Sequence, residues 1–231
     1  MNSKEVLQRT QKQANPELAE KAKRFFKTNE GGYSENTIFL GIRVPFLRQL
    51  AKEASDISLT ETVNVLKSKY HEDRMCALFI LVNNYKKGDL KKKERIYDLY
   101  LKHTKFINNW DLVDCSCYKI VGEHLLDKNT QDLERLVISE NMWERRIAMV
   151  SMFQLIRHHQ FDLTIKFAEQ LLQDKEDLIH KAVGWMLREL GKKDLDRLKT
   201  FINKHNLNMP RTMLRYAIEK FPDNERKAIL K

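Results

Sequence analysis

Asn108-Asn109-Trp110-Asp111-Leu112-Val113-Asp114 interrupts a pattern that runs through most of the chain. Laid over one another, five apolar segments share one slot, held in turn by Ala77, Asp114, Ala148, Ala182 and Ala217. The successive spacings are 37, 34, 34 and 35 residues. A small apolar residue at one fixed point is what close packing of stacked helices asks for, and a repeat of this length describes helix pairs that touch chiefly their neighbours. The expected fold is therefore all-α, an α-solenoid of HEAT-like helical repeats, curved with a concave basic groove. A plain multi-helix bundle is the competing arrangement. Asp114 puts a carboxylate where the other units have alanine, and it must be desolvated, partnered or used. The repeat alone leaves two readings open: an ion pair with an arginine that keeps two helices in register, or a functional acid.

Helical periodicity extends outward from this stretch in both directions, and no segment reads convincingly as a strand. Pro16 opens a helix to about Thr28, at a position where proline is tolerated. Glu30 to Glu35, with Gly31-Gly32, reads as a loop, and Pro45 stands in the first turn of the next helix. Ser58 or Thr60 can cap a helix through Leu66, and His71 to Tyr85 is apolar enough to be buried. Apolar helices are expected to begin near Asn109, Met142, Asp177 and Pro210. Amphipathic helices are expected between them at Lys91 to Leu101, Gln131 to Val137, Leu163 to Leu172 and Leu195 to Ile202. No linker or low-complexity tract appears, so residues 1–231 read as a single domain.

Composition narrows the function classes. Seven glycines and four prolines in 231 residues favour long helices with few tight turns. A net charge of +10 and a pI near 9.4 favour a polyanionic partner, nucleic acid ahead of an anionic membrane. Three cysteines, Cys76, Cys115 and Cys117, form no CxxC pair, which argues against a disulfide frame and against a zinc site. Met1 to Glu5 lacks the apolar core of a secretion signal, and the longest apolar run, Cys76 to Val82, is too short to span a bilayer. A cytoplasmic, nucleoid-associated protein without a membrane partner is expected. The seven histidines show no HExxH pattern, Gly31-Gly32 belongs to no phosphate-cradling motif, and no serine sits in a nucleophile elbow. No cofactor and no metal are expected.

The repeat register yields further candidates. Arg74, Arg145, Arg146, His180 and Arg215 stand two or three residues before the small slot, where a surface that follows a phosphate backbone would need cations. Charges at helix starts also simply face solvent, and for any single one that is the commoner case. All three tryptophans lie on the apolar helices. Trp143 reads as core, whereas Trp110 stands one turn before Asp114 on the same face, and Trp185 follows Gly184, which would clear space beside its ring. Aromatic faces beside a carboxylate make an electron-rich site that favours a cation.

Four ordered motifs then carry a resemblance. They are Phe39-Leu40-Gly41-Ile42-Arg43-Val44-Pro45, Asn109-Trp110-Asp111-Leu112-Val113-Asp114, Trp143-Glu144-Arg145-Arg146-Ile147-Ala148 and His180-Lys181-Ala182-Val183-Gly184-Trp185-Met186-Leu187-Arg188-Glu189. Over nearly the whole chain the sequence resembles the AlkD-like family of bacterial DNA alkylation repair glycosylases. That resemblance implies an all-helical HEAT-like fold and excision of positively charged N3- and N7-alkylated purines from duplex DNA. Carried over by motif, it implies that Asp114 is the catalytic aspartate, that Trp110 and Trp185 are the flanking aromatics, and that Arg146 grips a phosphate. Arg43, Arg145, Lys181, Arg188 and Arg215 are the further expected DNA contacts. Active relatives can carry a tyrosine in the second helix, where this chain has Phe25, followed by the loop that contains Tyr33. Some branches of the family bind branched DNA without cleaving it. A non-catalytic DNA-binding module and a protein-interaction scaffold are thus the two alternatives to an enzyme. A groove that must admit duplex DNA favours a monomer.

Overall fold

The computed structural model describes residues 1–230, and among them there are fourteen α-helices. Among the described residues the only β-type pairing is a single parallel bridge between Ile38 and Tyr70, so the fold is all-α. The chain divides into two compact units, Met1–Ser116 and Cys117–Lys231. No helix among the described residues is long and apolar enough to cross a membrane.

The first unit holds α1 (Ser3–Lys12), α2 (Pro16–Phe25), α3 (Val44–Glu53), α4 (Leu59–Leu66), α5 (His71–Lys87) and α6 (Leu90–Lys102). A 3₁₀ turn at Thr104–Phe106 then leads into α7 (Trp110–Cys117), whose last residue opens the second unit. Side chains end most of these helices as the sequence suggests. Asn15 accepts from the Leu18 amide before Pro16, and Ser58 accepts from the Glu61 amide ahead of α4. The centre of the unit is α5, which packs against α3, α4 and α6 and is buried along nearly its whole length. An apolar run in which Met75 through Leu81 are all buried cannot form a stripe; it requires neighbours on every side.

Phe39 to Arg43 is an irregular segment beside the start of α5, and one residue anchors it. The buried carboxylate of Glu72 accepts the amides of Leu40 at 2.9 Å, Gly41 at 2.7 Å and Ile42 at 3.3 Å. Gly41 has φ +78°, and a Cβ there would lie 2.1 Å from the Asn15 carbonyl oxygen, so only glycine fits beneath α2.

The second unit opens with a π-helical turn, Tyr118–Gly122, that continues α7. Then follow α8 (Gln131–Val137), α9 (Met142–Arg157), α10 (Asp162–Gln170), α11 (Asp177–Gly191), α12 (Leu195–His205), α13 (Arg211–Ala217) and α14 (Asp223–Ile229). The π turn, α9, α11 and α13 pack in succession, while α8 and α10 contact α9, and α10 and α12 contact α11. Ala148, Ala182 and Ala217 lie buried in α9, α11 and α13, as the repeat register requires of a packing slot. Gly184 serves the same stacking. A Cβ there would sit 2.5 Å from both the Met213 carbonyl oxygen and the Tyr216 Cβ. The residue therefore lets α13 approach α11.

Candidate nucleic-acid site

In the first unit the start of α7 is fixed by an asparagine. Asn109 is fully buried; its Oδ1 accepts the Trp110 amide at 2.8 Å and its Nδ2 donates to Ser34 Oγ at 2.6 Å. The adjacent Tyr33 accepts a hydrogen bond from Trp110 Nε1 at 3.2 Å. Loop 26–43 thus binds α7 through two neighbouring side chains, one to the turn before the helix and one to the indole itself.

The Trp110 ring is also held from behind. Phe26 stacks on it at 5.5 Å between centroids, and Phe39 stacks on the other side of Phe26 at 5.0 Å. Phe25, the last residue of α2, meets the indole edge-on at 6.0 Å and remains 65% exposed. Phe25 and Tyr33 therefore both lie against Trp110. Aromatic contacts of this kind add about 0.5–1.5 kcal/mol each beyond their buried area, so the indole is rigidly set.

Two carboxylates follow Trp110 on α7. Asp111 Oδ2 lies 2.9 Å from Nε2 of the buried His71, whose ring leans on both Phe26 and Phe39. A small cavity of about 200 Å³ opens here, lined by Phe26, Phe39, Leu47, His71, Met75 and Asp111 among others. Asp114 is half-buried, four residues after Trp110 and so one turn along the same face. Behind this face α5 contributes Arg74, which is buried and donates to the Ser68 carbonyl. Burial pulls its guanidinium below the usual range, against the pull of Asp111, Glu72 and Asp73. Arg74 thus belongs to the interior of the unit, and the expectation that it lies on a phosphate-facing surface is corrected. Burial also pushes the Asp73 carboxyl up, while its bond from Ser68 opposes the shift.

The second unit carries the remaining candidates. Arg145 makes four hydrogen bonds inside the protein: Nε and Nη2 to the Asp174 carboxylate, and Nη1 to the carbonyls of Ser139 and Glu140. Arg146 is buried, and its Nη1 donates to the Leu178 carbonyl in the first turn of α11. Lys181 pairs with Asp177 at 2.8 Å across one turn, and Arg188 pairs with Glu219 and, at 3.6 Å, with Glu189. Arg43 in the first unit and Arg215 on α13 are exposed. Trp185 is half-buried, its ring 6.1 Å from that of Phe153. Phe153 in turn meets Tyr118 of the π turn at 5.1 Å.

Sequence reasoning missed Phe153 and Tyr118, as well as Ser34 and Glu72. A signal existed for Tyr118 alone, which follows Asp114 by four residues. Among the described residues, no group of histidine, cysteine and carboxylate side chains is arranged to hold a metal ion.

Residues 6–221 match a family described as DNA alkylation repair enzyme. The chain belongs to that family. Membership ties it to the repair of alkylated DNA, with DNA as its partner. Solved structures agree in fold. A predicted DNA alkylation repair enzyme from Enterococcus faecalis is 21% identical, with a TM-score of 0.70, covering 91% of this chain and 98% of its own. AlkD2 from Streptococcus mutans is 18% identical, with a TM-score of 0.53, covering 96% of this chain and 99% of its own. No curated protein matches.

Proposed function

We propose that this family member is a DNA glycosylase that removes positively charged N3- and N7-alkylated purines from duplex DNA. The observation that carries this reading is the start of α7, where Asp114 takes the slot filled by buried alanines in α5, α9, α11 and α13, one turn from an indole locked in place. Structural ion pairing needs no such fixed aromatic neighbour.

The chemistry suits those groups. Alkylation at N7 or N3 makes the purine cationic, so it departs without general-acid help. As the bond between C1′ and the purine nitrogen breaks, its electron pair neutralises the base and positive charge grows on the deoxyribose. A preorganised anion stabilises such an oxocarbenium-like centre best. Asp114 supplies that anion and orients the water that adds to C1′, while the displaced proton goes to solvent. Trp110 presents an aromatic face to the deoxyribose, where cation–π attraction strengthens as charge develops, and Trp185 in the second unit is a further aromatic available to the DNA. Arg43 and Arg215 are exposed cations available to phosphates. Arg146 is buried and donates to the Leu178 carbonyl, so it orders the first turn of α11, where backbone amides favour an anion, and does not itself face a phosphate. Because selectivity rests on the charge of the lesion, neutral lesions are poor substrates.

The test is single-turnover release of 7-methylguanine from a defined duplex by the wild type and by Asp114→Asn. Release that collapses by about a hundredfold or more in the variant, with DNA binding retained, supports the reading. Salt-dependent binding with no release by the wild type would make the protein a non-catalytic DNA-binding module. Absence of DNA binding would leave an interaction scaffold.

A further inference from the structure

Tyr118, Phe153 and Trp185 come from the π turn, α9 and α11, three segments that pack in succession within the second unit. Their rings form a row, with centroids 5.1 and 6.1 Å apart and interplanar angles of 65° and 43°. Each is half-buried, so the row is neither core nor free side chains. Its construction is specific. The π turn follows α7 directly, and such turns are frequent at functional sites. Gly122 then lets the π turn meet α9; a Cβ there would lie 2.5 Å from the Ser151 carbonyl oxygen. Gln154, next to Phe153, donates to the Glu123 carboxylate and pins the two segments together. At the outer end of the row the Lys119 ammonium lies 5.1 Å from the Tyr118 ring centroid.

We infer that Tyr118 and Phe153 extend Trp185 into an aromatic strip that binds the deoxyribose edge of a DNA strand. The tilt between the rings excludes a common flat platform on which successive bases could stack. The bases of an intact duplex are in any case paired inside it, leaving the sugar–phosphate edge as the part a surface strip can reach. Deoxyribose C–H groups pack on ring faces at any sequence, and the Lys119 ammonium supplies a cation for the adjoining phosphate. The inference rests on DNA as the partner, but not on catalysis.

The experiment compares wild type, Tyr118→Leu, Phe153→Leu and the ring-preserving Tyr118→Phe on an undamaged duplex and on one holding 7-methylguanine, over a range of salt. Packing of a deoxyribose edge on a ring is worth less than stacking of a base, so each leucine variant should bind about three- to fivefold more weakly. The slope of log K against log salt should not change, because no phosphate contact is lost, and Tyr118→Phe should bind as the wild type does. A second measurement avoids any folding defect: isotope-filtered NOEs in the wild-type complex, from Tyr118 and Phe153 ring protons to deoxyribose protons. Leucine variants that bind as tightly as the wild type, or rings that show no NOE to DNA in a formed complex, overturn the strip. A wild type that binds the duplex and gives these NOEs without releasing base sinks the glycosylase reading and leaves the strip standing.

Discussion

Trp110 Nε1 donates to the Tyr33 hydroxyl at 3.2 Å, joining α7 to a loop 77 residues earlier in the chain. With Phe26 stacked behind it, the indole has one orientation, fixed before any substrate arrives. Preorganisation of this kind matters because an aromatic face acts on a developing charge only when it need not reorganise.

Removing the acceptor isolates that effect. Tyr33→Phe keeps the ring but leaves the indole N–H unpartnered, at a cost of about 1 kcal/mol in stability. For a chain of this size the melting temperature should fall by roughly 2–4 °C. Single-turnover base release should slow several-fold, with duplex affinity nearly unchanged. A variant that melts and reacts like the wild type would show that the bond does not hold the indole.

Glu72 is the second leverage point, because both carboxylate oxygens serve the backbone of the Phe39 to Arg43 segment. In Glu72→Gln one oxygen is replaced by an amide nitrogen that faces a backbone N–H, donor against donor. Losing charge-assisted bonds at a buried site should cost about 2–4 kcal/mol, read as a lower urea midpoint at unchanged slope. An unaltered midpoint would mean that the segment holds itself in place.

The contrast between these two contacts and the helices explains what was legible in the sequence. Helix periodicity is local, so Gln131–Val137 and the starts of α9 and α11 match their expected positions, and Ser58 caps α4 as its place predicts. The same pattern says nothing of α1 and α14, which are short and polar. It also hides the π turn, which has no signature in residue types. Trp110 and Asp114 stood out because they break the repeat. Tyr33, Ser34 and Glu72 did not, because each acts on a segment that the fold, not the chain, brings near. Recurring arginines at helix starts suggested one phosphate-facing row, yet Arg74 and Arg146 are buried and Arg145 is fully bonded within the protein. A guanidinium satisfies loop carbonyls as readily as phosphates, and residue type alone does not separate the two uses.

Gly184 gives a direct test of the stacking in the second unit. In a free helix, alanine for glycine stabilises by about 1 kcal/mol. Here the added methyl meets the Met213 carbonyl oxygen and the Tyr216 Cβ, backbone and near-backbone atoms that cannot step aside. Overpacking of this type costs about 1–3 kcal/mol, so Gly184→Ala should be net destabilising in thermal melts. A stabilised variant would mean that α11 and α13 separate easily.

Cys76 makes the stability of the first unit depend on pH in the alkaline range. Its thiol is fully buried against α3, and burial pushes its pKa from 9.0 up to about 12. The folded state therefore keeps the proton after the unfolded chain has lost it. Stability from this group is complete below the unfolded pKa and is lost as pH rises toward the folded one. Between about pH 8 and about pH 10.5 the wild type should lose more stability than Cys76→Ala, so that the gap between them narrows as pH rises. Urea midpoints of both proteins across that range measure the difference. Parallel curves would show that the thiol does not ionise differently in the two states. The same burial predicts which thiol reacts in the native protein. Iodoacetamide near pH 8 should modify the half-buried Cys115 first, and reach Cys76 and Cys117 only on unfolding, because reaction requires an accessible thiolate.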